Sequence, residues 1–145
     1  MKISKELVKD ILHNIRKYPP EMGGILGQKN GVICEYMLDE GCISSTACSY
    51  IPETDKLNKR IAEWELSNIS FVGIFHTHFS GVKTLSCGDK KYIEKIMLQM
   101  PYNIEELYFP IIVFPQSEIV YYLATKSQNK ILIKETSILE QVKEV

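Results

Sequence analysis

The chain has 145 residues, 45% hydrophobic and 24% charged, an ordinary soluble composition that predicts a single domain over residues 1–145. A net charge of -1 argues against nucleic acid or an anionic membrane as partner, and no apolar run reaches membrane-spanning length. Lys9 and Asp10 interrupt any signal-peptide core, so a cytoplasmic location is expected.

In chain order, Ser4 can cap a first helix with the apolar stripe Leu7, Val8, Ile11, Leu12 and Ile15, ended by Pro19-Pro20. His13, among Lys9, Asp10, Asn14 and Lys17, reads as solvated on that helix. Met22–Gly27 and Val32–Leu38 flank Asn30-Gly31, a strong hairpin signal. A further strand is expected within Gly41–Tyr50, then a second helix after Pro52 with Leu57, Ile61 and Trp64 inward. Ser70–Phe75 is an apolar run with β-branched and aromatic residues, which predicts a strand buried on both faces. Residues 79–84 read as loop. From about Gly88 the pattern turns helical, with Tyr92, Ile93, Ile96, Met97 and Met100 on one stripe. Ile111–Phe114, Glu118–Ala124 and Lys130–Lys134 read as strands joined by short turns, and Ser137–Val145 as a short final helix. The expected fold class is α/β, a mixed central sheet flanked by helices.

Two of the three histidines, His76 and His78, follow the buried strand. Residues i and i+2 of an extended chain share a face, so the imidazoles converge. Asp89, eleven residues on, adds a carboxylate at a helix start. Two nitrogens and one oxygen make a plausible tetrahedral zinc set with the fourth position open, the build of catalytic sites; the set also tolerates other divalent ions. Ser86-x-x-Asp89 is at the same time a capping-box pattern, and the two readings are compatible. The four cysteines at 34, 42, 48 and 87 lack C-x-x-C spacing and read as free thiols, Cys87 being a bystander within the Ser86–Asp89 segment.

Glu21, in Pro20-Glu21-Met22-Gly23-Gly24-Ile25-Leu26-Gly27, joins these residues in a larger pattern. Glu21, His76-x-His78, seven intervening residues and Ser86-x-x-Asp89 together resemble the JAMM motif of the JAB/MPN metallopeptidases, and Gly73 stands where that family has glycine. The resemblance spans Pro20 to Asp89. It implies a cytidine-deaminase-like layout and one Zn2+ held by His76, His78 and Asp89. It implies Glu21 as general base and Ser86 as the group that steadies the water or the oxyanion formed at the attacked carbonyl. The chain departs from the family at Phe79 and Leu85, where prolines are usual, which bears on loop shape and substrate preference.

The implied activity is a zinc metallopeptidase of compact prokaryotic type. Its substrate would be the amide bond after the C-terminal tail of a ubiquitin-like or sulfur-carrier protein, a tail ending in small residues such as Gly-Gly and laid alongside as an added strand. The alternatives are a catalytically silent MPN-type scaffold that binds a partner, and a small-molecule amidohydrolase, which predicts a closed pocket. A zinc deaminase needs H-x-E and a downstream P-C-x-x-C, and the chain has neither.

Overall fold

Alternation along two neighbouring strands organises the core. The computed structural model describes residues 1–42 and 50–142. Strand β1 (Lys2–Ser4) leads into helix α1 (Lys5–Asn14), and β2 (Gly23–Lys29) and β3 (Val32–Asp39) form a hairpin. Helix α2 (Thr54–Glu65) precedes β4 (Ser70–His78), and α3 (Cys87–Gln99) follows it. Strands β5 (Glu106–Tyr108), β6 (Ile111–Val113), β7 (Glu118–Ser127), β8 (Lys130–Thr136) and β9 (Leu139–Gln141) complete the described elements. They form one mixed sheet in the order β5-β7-β6-β4-β2-β3-β1-β9, with β8 on β7. The expected mixed sheet flanked by helices is what the chain adopts.

Successive side chains of a strand point to opposite faces, so β2 and β4 each feed two cores. Ile25 and Ile74 pack under α2 and α3 with Leu57, Trp64, Ile93 and Met97. Leu26 and Phe75 face the other way, against Leu7, Val8 and Ile11 of α1 and Ile15 just beyond it. Each large side chain so buried contributes about 1.5–3 kcal/mol, against the entropy of ordering the chain. His76 and His78 share the face of Ile74, two and four residues along, so both lie on the α2/α3 side.

The three helices and the hairpin follow the sequence reading closely. Ser4 Oγ accepts the Leu7 N–H at 3.2 Å and caps α1. That helix ends at Asn14, ahead of the prolines, where Ile15 turns to extended backbone. Asn30 and Gly31 adopt φ of 55° and 80°, the left-handed pair that a two-residue hairpin turn requires.

Four segments correct or extend the sequence reading. Ser137–Val145 does not begin a helix: Leu139–Gln141 is β9, parallel to β1, with Lys2 opposite Leu139. A helix that short is marginal, and the edge of β1 offers backbone partners instead. The strand β1 itself, with Ile3 buried in the α1-side core, had no periodic signal to announce it. Strand β5 was likewise missed, because Pro110 divides β5 from β6. The expectation of a strand within Gly41–Tyr50 falls mostly on residues 43–49, which lie outside the described residues; Gly41, Cys42 and Tyr50 are not strand.

Candidate metal centre

Strand β4 runs through His78, three residues beyond the apolar run, because neighbours pair on both sides. Antiparallel β2 sets Gly23 opposite His76, and parallel β6 sets Ile111 to Val113 opposite His76 to His78. Thr77, fully buried between the two histidines, locks this end. Its N–H donates to Met22 O at 2.8 Å, and its hydroxyl oxygen accepts the Met22 N–H at 3.0 Å. Continuing the Gly23–His76 register by two residues puts Glu21 opposite His78.

The third corner comes from α3. Ser86 and Asp89 form the capping box in full: Ser86 Oγ accepts the Asp89 N–H at 3.0 Å, and Asp89 Oδ2 accepts the Ser86 N–H at 2.9 Å. That exchange aims the Asp89 carboxylate at the strand. Its Oδ2 lies 3.0 Å from His78 Nε2 and its Oδ1 3.3 Å from His76 Nε2, while the two Nε2 atoms are 2.9 Å apart. Ligand atoms of His76, His78 and Asp89 all fall within 4.8 Å of one another.

The donor set fits a divalent transition metal such as zinc. Both imidazoles present Nε2, and His78 Nδ1 lies 3.1 Å from Val82 O. A proton on that Nδ1 donates to the carbonyl and leaves the Nε2 lone pair free for a metal, the support that metal-bound histidines ordinarily have. Burial holds His76 below the usual histidine range, against the pull of Asp89. For His78, burial is outweighed by the hydrogen bond and charge of Asp89 and by Val82, and its pKa rises. Burial acts to raise the Asp89 carboxyl, but the hydrogen bonds from His76 and His78 carry it well below the usual carboxylate range.

Glu21 behaves oppositely. Burial, with the Asp89 charge, pushes its carboxyl up to about 7 against the lowering influence of His78 and of the Tyr50 backbone. Two carboxylates with pKa values driven apart in one site are suited to different roles, one as ligand and one as proton carrier.

The two departures from the expected pattern have packing roles. Phe79 stacks on Phe114, ring centroids 6.2 Å apart, and Leu85 is buried in the α2/α3-side core. Between them the 79–85 loop is tied by Gly81 N–H to Phe114 O at 2.9 Å, by Tyr122 OH to Lys83 O at 2.9 Å and by the Lys83–Glu118 ion pair. Cys87 is exposed and outside the metal-capable cluster; His13 is exposed on α1. Thr77, Tyr50 and Asp39 are parts of the site's surroundings that sequence reasoning missed, since nothing in their local spacing marks them.

No sequence-family profile matches this chain, and no curated protein matches it. Solved structures do. The solution structure of a Desulfitobacterium hafniense protein superposes with a TM-score of 0.63 at 16% identity, covering 98% of this chain and 94% of that one. The crystal structure of a JAB1/MPN domain protein from Archaeoglobus fulgidus superposes with a TM-score of 0.54 at 18% identity, covering 99% and 97%. The fold is that of a JAB1/MPN domain. No helix among the described residues is long and apolar enough to cross a membrane.

Proposed function

We propose that this chain is a zinc-dependent peptidase or isopeptidase that hydrolyses the amide bond after the C-terminal tail of a ubiquitin-like or sulfur-carrier protein. The observation that carries the reading is the meeting of His76 Nε2, His78 Nε2 and the Asp89 carboxylate, with Glu21 two residues ahead of the neighbouring strand β2, where the continued register sets it opposite His78. A zinc ion held there supplies Lewis acidity toward water and toward the amide carbonyl.

The remaining work falls to the chain. Glu21 takes the proton of the attacking water and returns it to the departing amine, and a carboxyl near 7 exchanges protons readily at neutral pH. Ser86 Oγ accepts the Asp89 N–H through one lone pair, and its own O–H donates to the carbonyl oxygen as negative charge builds there. Asp89 stays ionised throughout, and Thr77 keeps the Glu21-bearing segment in register with the histidines. Both edges of β4 are already paired, by β2 and by β5 and β6, so a tail laid alongside as an added strand would use an edge other than those of β4.

The test is cleavage of ubiquitin-like fusions ending in Gly-Gly, Gly-Ala or Ala-Ala before the scissile bond, with a small amide as comparison. Preferential cleavage after Gly-Gly is expected. Cleavage of no fusion beside rapid hydrolysis of the small amide would replace this reading with an amidohydrolase, and inertness toward all of them with zinc bound would favour a silent scaffold.

A further inference from the structure

Tyr50 touches this site from outside the motif. Its ring lies nearly parallel to that of His76, with centroids 6.3 Å apart and planes inclined by 12°. Offset stacking at such a separation is an attractive aromatic geometry. The ring occupies a slot that two glycines leave open. A Cβ on Gly23, the residue paired with His76, would stand 2.8 Å from Tyr50 Cε2, and one on Gly41 would stand 3.1 Å from Cδ1.

The far end of the ring is clamped. Tyr50 OH donates to Asp39 Oδ2 at 2.7 Å, and Asp39 is only 1% exposed. The same carboxylate accepts the Gly41 N–H at 3.1 Å and the Glu53 N–H at 3.0 Å, so it is held from three directions. A buried carboxylate this well bonded is a rigid anchor, whereas one stripped of a partner is costly. Burial, together with the bond to Asp39, drives the Tyr50 hydroxyl far above its ordinary range, so it remains a donor.

His76 is the residue that needs such support. Its partner His78 has Val82 O on Nδ1, but His76 Nδ1 is buried and has no hydrogen-bond partner among the described residues. With only the Nε2 edge held by polar contacts, to Asp89 and His78, packing steadies the rest of the His76 ring: His78 meets it edge-on at 4.8 Å, and Tyr50 meets it face-on.

We propose that Tyr50, clamped by Asp39, is a positioning residue for His76, its ring fixing the imidazole plane so that Nε2 points to where His78 Nε2 and the Asp89 carboxylate converge. The inference rests on the metal-site reading. Residues that orient a metal ligand typically change metal affinity about 10–100-fold when removed. Zinc affinity, measured by chelator competition, tests it on wild type, Tyr50→Phe, Tyr50→Leu and Trp64→Leu. Trp64, on α2, lies in the same core and is not among the aromatic or hydrogen-bond partners of His76, so its loss serves as the control for lost stability. Tyr50→Leu should bind zinc about 10–100-fold more weakly than wild type. Tyr50→Phe, which keeps the ring and loses the clamp, should fall between the two, and Trp64→Leu should match wild type. Equal affinity in Tyr50→Leu and wild type would overturn the inference, as would an equal loss in Trp64→Leu. A wild type that binds no zinc would overturn the metal-site reading itself.

Discussion

His76 and His78 stand two residues apart on one strand and are held by different physics. His78 is supported by polar contacts close in sequence: Val82 O takes its Nδ1, and the loop carrying Val82 is tied to β7 by Tyr122 and Glu118. His76 is supported by burial, with an aromatic face from Tyr50, 26 positions earlier, and no hydrogen bond on Nδ1. Beyond the Asp89 contact that the two rings share, one ring is thus oriented by a hydrogen bond on Nδ1 and the other by shape. A hydrogen-bonded support fails by degrees as a loop loosens, while a packed one depends on a distant ring being in place.

The largest effect should come from removing the point where both supports meet. Asp89→Ala deletes the carboxylate that touches both rings and also one half of the α3 capping box. Zinc affinity should fall by more than about 100-fold, beyond the range seen for residues that only orient a ligand. His78→Ala should do the same. Elemental analysis of the purified proteins decides it, and a full zinc complement in either variant would dissolve the shared-centre picture.

Next comes Glu21→Gln, which leaves both histidine supports untouched. Fold and zinc content should match wild type while turnover of a verified substrate falls about 10²–10⁴-fold, the range for losing a general base. Turnover within a few-fold of wild type would remove Glu21 from the proton path.

A smaller effect should follow from loosening the His78 side alone. Tyr122→Phe removes the bond to Lys83 O, a loss of about 0.5–1.5 kcal/mol. Because the loop keeps its Gly81 and Lys83 ties, zinc affinity should drop by less than about tenfold, short of the loss at Tyr50→Leu. A larger drop than at Tyr50→Leu would reverse the ranking of the two supports.

The smallest effect concerns pH in the metal-free protein. Glu21 has a folded-state pKa of about 7, above its unfolded value of 4.5, so the folded state binds the proton more tightly. Its contribution is therefore fully present below pH 4.5 and is lost as pH rises through 7. Glu21→Gln escapes that loss. Urea unfolding of chelator-treated protein should find the variant more stable than wild type by about 1 kcal/mol at pH 8, allowing for screening of a partly exposed group, and nearly equal at pH 5. A difference that does not change with pH would mean that burial of the Glu21 charge is not costly.

Much of this was legible in the sequence where the signal is local. The stripes of α1, α2 and α3 repeat every three or four residues, and Asn30-Gly31 carries its turn in its own backbone preferences. Ser86 and Asp89 are three residues apart, so their mutual capping follows from spacing, and the shared direction of His76 and His78 follows from the pleat of an extended strand. Three-residue strands carry too little pattern to be read, and the apolar residues near the C-terminus fit a helix as well as they fit β9 until β1 offers its edge.

The amino-acid sequence by itself therefore determined the elements long enough to be periodic and the residues of the metal-capable set, because both are written in short fixed intervals. Tertiary structure decided which face of β4 meets the start of α3, that Glu21 stands opposite His78, and that the ring of Tyr50 lies on His76 above Gly23 with its hydroxyl on Asp39. Those facts depend on strand register and on packing between segments tens of residues apart, and such contacts are selected by the joint burial of two cores rather than by any local preference.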